Sequence, residues 1–262
     1  MGRGRLLIAA VIAIGALLTY FGSSSLNPLT GEKQRVAMSP AQEIALGLKS
    51  APELAAQMGG LSQNAQARGL VQRLGAKLVR ESLAAKSEYR YAFYVLADRR
   101  TINAFALPGG PVFITEGLLS LLKSEAEVAA VLGHEIGHVI ARHSSERLAK
   151  EQLTRGLIGA LVVGTGDYTS AQIGQLVGGM INMRYGREDE LESDALGIRI
   201  MAEAGYDPRA MIRVMEVLAK ASGGSRQPEF FSTHPAPENR AARIKEAIAK
   251  QFPSGVPEGL AK

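Results

Sequence analysis

Residues 125–143 read EAEVAAVLGHEIGHVIARH, with His134-Glu135-Ile136-Gly137-His138 at their centre. Val128, Val131, Leu132, Ile136 and Val139 recur at helical spacing, and the pattern predicts one helix over 125–150. Helical residues four apart are separated by roughly 40° around the axis, so the imidazoles of His134 and His138 project from one face and can share an ion. Glu135 is offset by roughly 100°, beside the ligands and not between them. There it can polarise a water at the metal without binding the metal itself, the division of labour that a zinc hydrolase needs. Two histidines and a glutamate on an otherwise apolar helix are costly to bury without such a task.

A catalytic zinc takes a third protein ligand and keeps a position open. His143, the nearest further histidine, lies roughly 180° around the expected helix from His134 and cannot share its ion. A carboxylate on another helix is therefore expected. Residues 186–194, GREDELESD, open a helix that continues through Leu196, Ile200 and Met201. Glu190 and Asp194 are four apart and share a face. Glu190 can bind the metal while Asp194 accepts an N–H bond from a liganding imidazole, fixing its tautomer. Glu192, roughly 200° from Glu190, is the weaker choice. Taken alone, the acidic cluster would read as favourable charge at a helix N-terminus.

Outward from these helices, Tyr89–Leu96, Ile102–Leu107 and Val112–Thr115 read as strands, the last two joined by Pro108-Gly109-Gly110-Pro111. Ser39-Pro40 starts a helix, with Gln42 completing a capping box and Gly59-Gly60 stopping it. A second amphipathic helix is expected from about Ala65 to Leu83. The rest reads as helix over 116–122, 125–150, a broken 154–183, 187–204, 208–221 and 236–250. The class is α+β, mainly helical with a small β-sheet, and no internal repeat is present. Leu157–Val163 and Ile173–Met183 are apolar runs too short to span a membrane, with packing in the domain as the default and a lid or membrane-touching surface as the alternative.

Arg3 and Arg5 precede an apolar run from Leu6 to Gly22, the pattern of a signal sequence. No clean small-residue cleavage site follows, which favours an uncleaved signal anchor over a cleaved peptide. Either way the basic end stays cytoplasmic and the remainder is exported. The expected organisation is signal peptide or anchor 1–22, linker 23–38, domain 39–252 and tail 253–262. The 262 residues are 46% hydrophobic, enough for a sizeable core. The charge of +5 is scattered and only 5% of residues are aromatic, which excludes a nucleic-acid partner and suits a mildly basic face near anionic lipid. There is no cysteine, so disulfides, thiol nucleophiles, thiolate metal sites and a lipidated N-terminal Cys are excluded. Any metal site must use carboxylates and the four histidines, His134, His138, His143 and His234.

HEIGHVIARH paired with a downstream E-x-x-[AS]-D helix resembles metallopeptidase family forty-eight, the gluzincin family with HtpX-like, BepA-like and LoiP-like branches. The resemblance covers roughly 39–250 and includes Asn103–Gly110, Val112–Leu119, Gly205-Tyr206-Asp207-Pro208 and Thr233-His234-Pro235. Ser193 departs from the usual Ala. The resemblance implies a zincin-like fold, one zinc held by His134, His138 and Glu190, and Glu135 as catalytic acid/base. It also implies an edge strand that pairs with extended substrate, for which Gly110–Phe113 is the candidate, with an ordinary hairpin as the plain alternative. His234 then has three readings: a plain loop histidine, an oxyanion donor in catalysis, or, in the BepA-like context, a fourth zinc ligand that holds the enzyme off. The single apolar segment fits periplasmic members, placing the chain in the periplasm or on the periplasmic face of the bacterial inner membrane. The expected partners are unfolded or misassembled envelope polypeptides. A chaperone or assembly factor with little proteolysis, and a zinc hydrolase of a non-peptide substrate, are the competing readings. Retention of Glu135 favours the enzyme.

Overall fold

The computed structural model describes residues 3–165, 185–222, 228–235 and 239–262. In chain order its elements are α1 (Arg3–Gly22), β1 (Ser24–Leu26), β2 (Lys33–Arg35), α2 (Pro40–Gln57), α3 (Ala65–Arg80), a single 3₁₀ turn (Leu83–Lys86), β3 (Ala92–Leu96), β4 (Ala104–Ala106) and β5 (Pro111–Thr115). There follow α4 (Glu116–Leu119), α5 (Glu125–Ile140), α6 (His143–Thr165), α7 (Arg187–Glu203), α8 (Ala210–Ser222), α9 (Phe230–Thr233) and α10 (Arg240–Gln251). The class is the expected one, mainly helical with small sheets. Expected helix over 166–183, including the apolar run Ile173–Met183, and the first residues of 236–250 lie outside the described residues.

The chain divides into two compact units, Met1–Ser39 with Arg142–Tyr185, and Pro40–Ala141 with Gly186–Lys262. The stretch 39–252 is thus interrupted by residues of the first unit. In that unit, the stretch read as a linker holds the antiparallel hairpin β1–β2, paired Ser24 to Arg35 and Leu26 to Lys33. The Asn27 side chain shapes its loop by accepting from the backbone N–H of Leu29 at 2.9 Å and of Thr30 at 3.3 Å.

The second unit is built on a three-stranded sheet in the order β3-β5-β4, with β3 parallel and β4 antiparallel to β5. Its register aligns Tyr94, Phe113 and Phe105, whose rings stack at 5.0 Å across each strand boundary. Such cross-strand aromatic pairs fix a short sheet against slippage. They pack with Ala51, Ala55 and Leu96. The turn before β5 requires glycine: Gly109 and Gly110 have φ of 79° and 127°, and a Cβ on either would strike the backbone of Ile44 or Arg90.

Two expectations are corrected here. Every residue of β5 is buried and both its edges are paired, so Gly110–Phe113 cannot receive an extended substrate. The parallel β3 covers the side that the hairpin reading left open. The edge strand is β4, where the bonds Leu107 N–H to Pro111 O (2.8 Å) and Thr115 N–H to Asn103 O (3.0 Å) set the phase of the ladder. That phase turns the N–H and C=O groups of Ala104 and Ala106 away from β5. Second, the helix expected over 125–150 is two helices. α5 stops at Ile140, Arg142 takes a left-handed φ of 61°, and the Arg142 carbonyl accepts from Ser145 N–H (2.9 Å) and Glu146 N–H (3.1 Å) to start α6. The Arg142 guanidinium donates to the Met38 carbonyl at 2.6 Å, which helps hold this conformation.

Every residue of α5 from Ala126 to Ile140 is buried. Ser124 caps it, accepting from Glu127 N–H at 3.3 Å. α7 crosses α5 where both are small. A Cβ on Gly137 would meet Ser193 Oγ at 2.8 Å, and one on Gly197 would meet His134 N at 3.1 Å. Gly133, Gly137, Ser193 and Gly197 therefore let the two helices approach closely, which brings the side chains of one within reach of the other.

Candidate metal centre

The close crossing of α5 and α7 converges four buried side chains. His134, His138, Glu190 and His234 each offer one ligand atom, and these atoms all lie within 4.8 Å of one another. His134 Nε2 and His138 Nε2 are 3.0 Å apart, as the spacing of four on one helix dictates. The Glu190 carboxylate faces them, 3.5 Å from His134 Nε2 and 3.4 Å from His138 Nε2. His234 ends α9, its ring stacked on Phe230 at 4.5 Å, and turns Nδ1 to within 3.0 Å of Glu190 Oε1 and 3.4 Å of His134 Nε2. Glu135 lies beside this group, with His234 Nε2 3.5 Å from its Oε1.

The acidic run at the start of α7 separates into distinct jobs. Asp189 accepts from the Gly186 N–H at 2.8 Å and caps the helix. Glu190 and Asp194 point inward and are buried, while Glu192 is half-buried and outside the ligand-capable group. Asp194 Oδ1 sits 2.9 Å from His134 Nδ1, a partner for a proton on Nδ1, and the ring turns Nε2 towards His138 and Glu190. Ser193, the departure from the expected Ala, donates to the His134 carbonyl at 2.6 Å and ties the two helices together. His143 is not in the group. It opens α6, buried, with its ring 6.2 Å from Tyr185.

Sequence reasoning missed Arg240. This buried guanidinium at the first position of α10 donates to both Asp194 oxygens, Nε to Oδ2 at 2.8 Å and Nη2 to Oδ1 at 2.7 Å. Its Nη1 lies 2.9 Å from Glu190 Oε2, a charge contact not aligned as a hydrogen bond. The available signal was a charge count: three inward carboxylates call for a cation, though nothing along the chain says which of 30 Lys and Arg residues supplies it.

The electrostatics follow from burial and these contacts. Burial alone would lower the His134 imidazolium, but hydrogen bonds to Asp194 and Glu190 outweigh it and raise its pKa to about 9. Burial likewise opposes ionisation of Glu190. His234, His134 and His138 reverse that and hold its carboxyl well below the ordinary range. Asp194 is lowered against its burial by Arg240 and His134, and Arg240 is raised against its burial by Asp194 and Glu190. Glu135 differs: burial dominates and raises its pKa. The pocket therefore favours added positive charge. The converging donors are imidazole nitrogens and a carboxylate oxygen. A divalent ion of borderline softness fits both.

Arg240 fixes both carboxylates, and its Nη2 also lies 3.3 and 3.4 Å from His134 Nδ1 and Nε2. Arg240→Lys is expected to lower metal affinity about 10- to 100-fold, because lysine cannot span Asp194 in two-pronged fashion. Titration of the apoprotein with zinc against a competing chelator checks this, and unchanged affinity would contradict the assigned role.

A helix-borne H-E-x-x-H pair completed by a carboxylate from a second helix defines a metallopeptidase-type centre of the gluzincin kind. The model of Peptidase family M48 matches residues 65–248, and the chain belongs to that family. It is 29% identical over 258 residues to the beta-barrel assembly-enhancing protease of Escherichia coli, covering 94% of this chain and 52% of that protein. It is 35% identical over 194 residues to a putative beta-barrel assembly-enhancing protease of Vibrio cholerae, covering 70% of this chain and 39% of that one. It is also 35% identical over 154 residues to the mitochondrial metalloendopeptidase OMA1 of Arabidopsis thaliana, covering 58% of this chain and 31% of the relative. The chain thus spans about half or less of the length of these relatives.

Proposed function

We propose that this chain is a zinc-dependent endopeptidase acting on misfolded or misassembled cell-envelope polypeptides at the periplasmic face of a bacterial inner membrane. The observation that carries the reading is the buried convergence of His134, His138 and Glu190 with Glu135 adjacent. His134, His138 and Glu190 would hold the ion, with Asp194 and Arg240 orienting them. Zinc bound there would act as a Lewis acid towards a peptide carbonyl. Glu135 takes a proton from the attacking water and passes it to the leaving amine, and its raised pKa suits both halves of that exchange. The assembly-enhancing proteases among the relatives support a cell-envelope setting. α1, a 20-residue helix that is long and apolar enough to cross a membrane and has no buried residue, supports membrane attachment. The purified full chain is expected to cleave casein, to stop when chelated, and to recover with zinc. Binding of unfolded casein without cleavage in the zinc-loaded protein would replace this reading with the chaperone one.

His234 supplies a device within the same site. Its Nδ1 completes the ligand-capable group, which supports the reading that it closes the position a substrate carbonyl needs. His234→Ala is then expected to raise casein cleavage. An oxyanion donor would give the opposite sign, a fall of roughly ten- to a thousandfold with zinc retained, and unchanged turnover would reject both roles.

A further inference from the structure

α1 is packed along a neighbour in its own unit. A Cβ on Gly156 would lie 2.6 Å from the Ala16 Cβ, and one on Gly164 would lie 3.3 Å from the Ala9 Cβ. Position rises along α6 as it falls along α1, so the two helices run antiparallel. The C-terminal end of α1 is held in the fold as well. Arg35 lies over the Tyr20 and Phe21 rings at 5.4 and 5.1 Å, and the Val36 N–H donates to the Ser23 carbonyl at 3.2 Å. A segment discarded on export would have no use for such contacts.

α6 changes character along its length. Its first half carries Glu146, Arg147, Lys150, Glu151 and Arg155, whereas residues 156–164, GLIGALVVG, carry no charge. Leu157 and Leu161 are 39% and 46% exposed there, beside Leu7, Val11, Ile14 and Leu18 of α1, each more than half exposed. An apolar surface this continuous is unfavourable in water. By helix rise α1 is about 30 Å long, the thickness of a bilayer core, and Ala9 lies about 20 Å from its Gly22 end. Gly164 faces Ala9, so whatever solvent surrounds the inner half of α1 also surrounds the apolar half of α6. The last charge, Arg155, is paired to Glu151 at 2.5 Å, one turn nearer the polar end, and can snorkel to the headgroups.

We propose that residues 156–164 of α6 enter the bilayer beside α1 and meet the lipid acyl chains, as a second membrane contact. This rests on α1 being a retained anchor.

The chain has no Trp and no Cys, so single introduced probes report without background. Ile14→Trp, Leu157→Trp, Leu161→Trp and Arg243→Trp are made one at a time in the full chain. Each is reconstituted in phosphatidylethanolamine–phosphatidylglycerol vesicles with and without dibrominated acyl chains. Ile14→Trp reports on α1, and Arg243→Trp, on an exposed side chain of α10, is the aqueous control. Quenching of Leu157→Trp and Leu161→Trp to the extent seen for Ile14→Trp, with Arg243→Trp unaffected, is the expected result. Quenching of Ile14→Trp alone overturns the inference and leaves the anchor standing, whereas no quenching of Ile14→Trp removes the anchor and the inference with it. Independently of Trp insertion, Ala9→Cys with Gly164→Cys should form an intramolecular disulfide in the vesicles on mild oxidation. Failure to do so overturns the pairing of α6 with α1 in the bilayer.

Discussion

Glu135→Gln is expected to keep the zinc proposed for this site and to lose roughly 10²- to 10⁴-fold in casein cleavage. The substitution keeps volume and shape in a fully buried position. Metal retention follows from geometry, since the converging ligand atoms belong to His134, His138, Glu190 and His234, and Glu135 contributes none. The loss follows from chemistry. Glu135 has no hydrogen-bond partner among the described residues, so its carboxylate is not engaged in holding the fold. A carboxylate kept this way can receive a proton and release it, and burial moves its pKa upward in the direction that return requires. An amide can do neither. Metal analysis and a protease assay on the same preparation check the two halves together. Near-normal cleavage by a zinc-loaded Glu135→Gln protein would remove Glu135 from the mechanism. A protein that loses its zinc would show that the carboxylate had been supporting the ligands instead.

How far the sequence reached depends on whether the determining contact is local. His134 and His138 are one helical turn apart and so are Glu190 and Asp194, and periodicity alone aligns each pair on a face. The β4–β5 hairpin was equally legible, because Gly109-Gly110 marks the only backbone that fits its turn. The position of β5 in the sheet was not. Its second edge is covered by parallel pairing with β3, a contact that leaves no turn signal between the strands. The end of α5 was missed for a different reason: Arg142 adopts a left-handed conformation that favours glycine or asparagine, so neither Gly nor Pro marks the break. The β1–β2 hairpin rests on three-residue strands, too short for alternation to show. Arg240 stands 46 positions from the Asp194 it pairs with. Only the folded chain shows that α10 delivers a guanidinium to α7.

Glu190→Ala should empty the site while Glu192→Ala leaves it filled. Both residues lie on α7, two positions apart, in a run that along the chain reads as undifferentiated acid. The helix separates them: Glu190 is fully buried and reaches the His134 and His138 nitrogens, whereas Glu192 is half-buried and outside the ligand-capable group. Removing Glu190 takes away one of the proposed protein ligands and also leaves Arg240 facing a pocket with one fewer negative charge, which further disfavours a divalent cation. Loss of detectable zinc is therefore expected, on a scale comparable to His134→Ala or His138→Ala. Because apoprotein folding is itself in question for such variants, far-ultraviolet circular dichroism accompanies the metal analysis, and Glu190→Gln serves as the closer isostere. A folded Glu190→Gln protein that keeps stoichiometric zinc, beside a Glu192→Ala protein that loses it, would transfer the third ligand to Glu192. The converse pattern ties the metal to the face of α7 that also presents Asp194, and makes the crossing at Gly137, Ser193 and Gly197 the feature that sets the ligand geometry.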